Sequence, residues 1–143
     1  NVSVGLAVGT DIDLPDDKMK AVVTFEKNTA ASLAASHTIK VRFMVDQGSF
    51  SGDVKQISTP QMRPESSHSG DALAGVTVPI VANSFLVGLS PGNAETANTD
   101  LIKRLQWIDI PMRLDSGKIA KLTFEKSDSG QRDLNEAFNA WSK

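Results

Sequence analysis

Cysteine is absent from the 143 residues, and its absence excludes a disulfide framework, a thiolate metal site and a cysteine nucleophile. The compartment stays open, because a chain without thiols suits oxidising and reducing surroundings alike. Tyrosine is absent too, and aromatic residues make up 6% of the chain, which weakens readings that need base-stacking platforms or aromatic sugar-binding surfaces. No apolar run is long enough to span a bilayer, and no basic-then-apolar leader opens the chain. Neither sign of charge dominates. Fifteen basic and seventeen acidic residues are interspersed, for a net charge of −2, so no long-range field gathers nucleic acid or anionic lipid. Histidine is confined to His37 and His68.

What the chain does contain is enough apolar residue, 40%, for one core and one domain over residues 1–143. Its start at Asn1 reads as a processed protein or a domain excised from a longer one. The segment Trp107–Trp141 shows the organisation most plainly. Residues 107–114 and 118–126 are strand-like runs joined by Asp115-Ser116-Gly117, whose glycine can take positive φ, and so form a hairpin. A cluster of capping residues follows, then Leu134, Ala137, Phe138 and Trp141 at helical spacing, so a helix is expected from Asp128 or Ser129 to Trp141, lying on the hairpin. Its stripe reads as the inner face of a helix closing its own core.

Earlier in the chain, residues 2–14 alternate as a half-buried strand does, with Gly5 and Gly9 marking bulges or a bend, and 19–27 form the return strand after Pro15-Asp16-Asp17. The clearest alternation is His37 to Val45, with Ile39, Val41, Phe43 and Val45 on one face and Lys40 and Arg42 on the other. Residues 76–81 and 84–89 are two more strands across Ala82-Asn83, the first pushed toward a sheet edge by Pro79. Thr99, as N-cap, opens a short helix to Leu105. From Gln47 to Gly75 the pattern dissolves into a long, glycine- and proline-punctuated loop, of the kind that is often functional. The expected fold is mainly β: an antiparallel sandwich or curled sheet of roughly seven or eight strands, with one short helix and a C-terminal helix. The likeness of Ile12-Asp13-Leu14-Pro15 plus Val23–Lys27 to Ile108-Asp109-Ile110-Pro111 plus Leu122–Lys126 fits either a duplicated hairpin or two independent solutions, both antiparallel.

Chemistry is sparsely signalled. His68 sits among Glu65 and Asp71 in an oxygen-rich loop, but the spacing matches no established metal site, and no metal or other cofactor is assigned. Ser36 and His37 are adjacent, and alternation along a strand points neighbours to opposite faces, so they are not expected to pair as nucleophile and base. No serine elbow or phosphate loop appears. Asp11, Asp13, Asp109 and Asp115 form no distinctive carboxylate pair. No catalytic residue is assigned.

Ile12-Asp13-Leu14-Pro15, Ala35-Ser36-His37-Thr38, residues 70–76 and 85–90, Trp107-Ile108-Asp109-Ile110-Pro111 and residues 130–138 with Trp141 together resemble the C-terminal domain of an uncharacterised bacterial envelope family of alphaproteobacterial type. The resemblance spans almost the whole chain. It implies an extracytoplasmic or periplasmic domain, anchored in the full protein through an N-terminal segment, and it brings no activity, cofactor or catalytic residue. Residues 85–141 are also similar in element order to the invasion-associated locus B family of secreted β-sandwich proteins, which usually carry the cysteines this chain lacks.

The expected function is a noncatalytic binding or assembly module of the bacterial cell envelope. It would hold a protein partner, or a second copy of itself, through the long loop or a sheet edge. Phe50, Gln61, Met62, Arg63, Glu65, His68 and Asp71 are the candidate binding residues. The alternatives are a carrier of a small apolar ligand between the sheets and a metal-dependent hydrolase built on His68, Glu65 and Asp71.

Overall fold

The computed structural model describes residues 7–14, 19–29, 32–45, 53–67, 70–126 and 128–141. In chain order the elements are β1 (Ala7–Leu14), β2 (Met19–Lys27), β3 (His37–Val45), β4 (Val54–Ile57), β5 (Gln61–Arg63), β6 (Asp71–Ala72), β7 (Gly75–Val81), β8 (Ser84–Leu89), α1 (Asn93–Arg104), β9 (Trp107–Leu114), β10 (Ile119–Glu125) and α2 (Asp128–Trp141). Two antiparallel sheets result. The first runs β1-β2-β3-β8-β7; the second runs β10-β9-β5-β6, with β4 also paired to β9.

Period-two alternation builds the first sheet. Ala21, Val23 and Phe25 of β2 stand opposite Phe43, Val41 and Ile39 of β3, and Ile39 and Val41 stand opposite Val87 and Phe85 of β8. All are buried. In the second sheet Ile108, Ile110, Met112 and Leu114 alternate inward along β9 and meet Leu122, Met62, Ile57 and Val54. The two inner faces join in one continuous core, which makes the fold a β-sandwich. Each of these side chains larger than alanine contributes about 1.5–3 kcal/mol by leaving water. Pro79 sits on β7, the edge strand of its sheet, where a missing N–H costs no ladder bond. Gly117 takes a φ of 88° in the β9–β10 turn, and Asn83 a φ of 65° in the two-residue turn after β7.

Three expectations are corrected. The stretch 47–75 is not one loop, because it contains β4, β5 and β6. β4 pairs with residues 112–114 of β9 and β5 with residues 107–109, on the same side, with Ser58 N–H donating to the Pro111 carbonyl between them. They are one interrupted strand, each piece too short to display a period, which is why the described strands outnumber the seven or eight expected. Gly9 marks no bulge, since β1 and β2 pair without a register shift. α1 begins at Asn93 after Gly92, so Thr99 lies inside it rather than capping it. Its buried residues are Asn98 and Ile102, and a polar inward residue hides a helical stripe. α2 has β1 and α1 as its nearest backbone neighbours, and its apolar residues share one core with Ile108, Ile110 and Leu122 of the β9–β10 hairpin. Its expected inner face stands: Leu134, Ala137, Phe138 and Trp141 are all buried.

The echoed hairpins are both antiparallel, but they do not superpose in register. Thr123 stands opposite Asp109, whereas Thr24 stands opposite Gly9 and Asp13 opposite Lys20. What they share is their final lysine. Lys27 donates to the Trp141 carbonyl and Lys126 to the Ile102 carbonyl, so each places a cation on the last turn of a helix, where backbone carbonyls lack partners and the dipole is negative.

Candidate functional site

The residues singled out in sequence do not converge. Met62 is fully buried in the core, while its neighbours Gln61 and Arg63 face the other side of β5. Glu65 and Asp71 are exposed, on a turn and on β6. Phe50 and His68 lie outside the described residues. Among the described residues no group of three or more His, Asp or Glu side chains is placed to hold a metal ion.

Arg63 instead joins a compact polar cluster on the outer face of the second sheet. Its Nε donates to Asp109 Oδ2 at 2.6 Å, its Nη1 to the Ser67 carbonyl at 2.8 Å, and its guanidinium lies 5.3 Å from the Trp107 ring centre. Thr123 donates to Asp109 Oδ1 at 2.7 Å, and Lys121 Nζ stands 3.9 Å from Oδ2. Burial of Asp109 works against its charge, but the bonds from Arg63 and Thr123 and the two nearby cations outweigh it and hold the carboxyl below its ordinary range. Both carboxylate oxygens are engaged within the protein. The cluster ties β5, β9 and β10 together and offers no free base.

Ser36 and His37 do meet, contrary to expectation: His37 Nδ1 is 3.0 Å from Ser36 Oγ. Ser36 lies in a bend before β3 begins, so strand alternation does not govern it. The imidazole is nevertheless packed as a core group, with ring centres 5.2 Å from Phe138 and 5.3 Å from Trp141. Burial pushes its pKa down; Glu95 opposes this and Lys27 reinforces it. No carboxylate is hydrogen-bonded to the ring among the described residues, so the triad logic that activates a serine is not assembled.

Two features remain that bear on function, and neither was assigned residues from the sequence. The first is the edge of β7. Ser90 N–H donates to the Ala74 carbonyl, which sets the alternation of the β7–β8 ladder so that Val76 and Val78 bond toward β8. The backbone groups of Gly75, Thr77 and Pro79 therefore point outward, and among the described residues no strand takes them. Val76 and Val78, 67% and 46% exposed, stand on the outer face, and Ile80 and Val81 beyond them are exposed as well. The strand is anchored by Asn98, whose amide donates to the Ala74 carbonyl and accepts from the Ala74 N–H, both at 2.8 Å. A lone asparagine inside a helix gives no sequence signal of such a role.

The second feature is a cavity of about 300 Å³ at the opposite side of the sandwich, between β1, β10 and α2. Its apolar walls are Val8, Val23, Phe25, Ile108, Phe124 and Leu134, drawn from both sheets and the helix, and Thr10, Glu125, Lys126 and Asp133 add polar groups to the lining. It exists because β1 and β10 end their respective sheets and do not pair with each other. Comparison of the chain with protein-family models, with curated proteins and with solved structures gave no match.

Proposed function

We propose that the domain is a noncatalytic assembly module that holds a protein strand along the free edge of β7, and that the strand is β7 of a second copy. The observation that carries this reading is the edge itself, a seven-residue strand with an apolar outer face and an unpaired outer backbone. Antiparallel pairing about a two-fold axis at Thr77 sets each Thr77 N–H on the other Thr77 carbonyl and each Gly75 N–H on the carbonyl of the other Pro79. All outward donors from Gly75 to Pro79 are then used, and the proline's missing N–H costs one bond per copy. The same register sets Val76 of one copy against Val78 of the other, covering side chains that water now surrounds. The family resemblance supports a bacterial envelope setting for this assembly, which fractionation of the native cells tests.

Sedimentation equilibrium on the wild-type protein and on Val78→Lys tests the pairing. A dimer that becomes a monomer in the variant, with unchanged circular dichroism, is the expected result. A wild-type protein that stays monomeric at several hundred micromolar overturns the reading.

A further inference from the structure

We infer that the cavity between β1, β10 and α2 is a binding site for a small amphipathic molecule with an apolar body and a single anionic head. The inference is independent of pairing at β7, which lies at the other edge of the first sheet.

Apolar walls from three elements suit the body of such a molecule, and the volume falls at the small end of pockets that enclose organic ligands, about 300–1,000 Å³. The head follows from Lys126, which borders the cavity with only 6% of its surface exposed. Among the described residues no carboxylate pairs with it. Its hydrogen-bond partner among the described residues is the neutral Ile102 carbonyl, which engages one of the three N–H groups of an ammonium. Helix capping alone accounts for that bond. It does not account for the burial, since Lys27 makes the same kind of bond to α2 from a half-exposed position. A buried cation without a counter-ion is costly, and an anion entering the cavity supplies one. The remaining charged residues at the cavity are Glu125 and Asp133, both exposed, where solvent screens them from a ligand lodged deeper. Thr10, also exposed, completes the polar mouth.

The test is a nuclear magnetic resonance titration of the full chain with decanoate, decanol and decyltrimethylammonium, each below its micelle-forming concentration. Decanoate is expected to give saturable shifts at the amides of Val8, Thr10, Phe124, Lys126 and Leu134, and to bind about tenfold more tightly than the cation. Val8→Trp, which fills the cavity, should abolish those shifts, and Thr10→Phe, on the exposed rim, should weaken them if Val8→Trp does not fold. Lys126→Met should keep decanol binding and lose the preference for decanoate. The inference is overturned if decanoate gives no saturable shifts, if a folded Val8→Trp binds it unchanged, if the shifts map to residues 75–81, or if anion and cation bind equally.

Discussion

At the scale of single residues, burial against unlike neighbours makes three side chains report on pH or pairing. Burial lowers the His37 pKa in the folded chain below the unfolded value of 6.5, so the unfolded state binds more protons in that window. Stability is therefore full above pH 6.5 and falls as pH drops through it. Denaturation at pH 7.5 and 5.5 should show this loss in the wild type and a smaller one in His37→Leu. Lys126, with a pKa lowered to about 8 by burial, gives the same sign in a higher window: the unfolded chain holds its proton up to 10.5, so stability rises with pH between the two values. The difference between wild type and Lys126→Met should shift by up to about 3 kcal/mol in the wild type's favour across that range. Asp109→Ala leaves Arg63, whose side chain is 14% exposed, without its partner, and should cost about 3–5 kcal/mol in chemical denaturation.

The secondary-structure elements divide by how their inward residues announce themselves. β2, β3, β8, β9 and α2 were legible because each carries an uninterrupted apolar period against polar neighbours, and Pro79 and Gly117 marked an edge and a turn by their own backbone preferences. β4, β5 and β6 were not, because pieces of four, three and two residues hold at most two inward positions. Their partner β9 specifies them, not their own sequence. The first half of α1 was hidden because Asn98 takes the place of an apolar residue and spends its amide on the backbone of Ala74. That clamp predicts an effect away from the helix. Asn98→Ala should cost about 1–3 kcal/mol, and amide exchange should speed most at Ala74 and along β7.

Taken as one body, the molecule is a sandwich whose two sheets share a single core, so a cavity cut in either sheet should destabilise both. Ile110→Ala is expected to cost about 2–5 kcal/mol, with one unfolding transition seen by probes placed in each sheet. The candidate surfaces were less legible than the fold. Arg63 was singled out among loop residues, yet it braces β9; the sheet edge was foreseen as a class of surface, but its open donors depend on the β7–β8 register, which no sequence pattern states. The cavity arises from two edges that fail to meet, and its walls come from segments more than a hundred residues apart.

The two rims of the first sheet are unlike. Among the described residues β7 is bare on its outer side, whereas β1 has α2 beside it and carries the exposed carboxylates of Asp11 and Asp13. A sheet with two open rims would add copies without limit, as fibres do. In the proposed pairing, joining two β7 strands would use the bare rim of each first sheet, and the acidic, helix-flanked β1 strands then left at both outer ends would repel a third copy. Growth that begins at this edge would then stop at a closed pair.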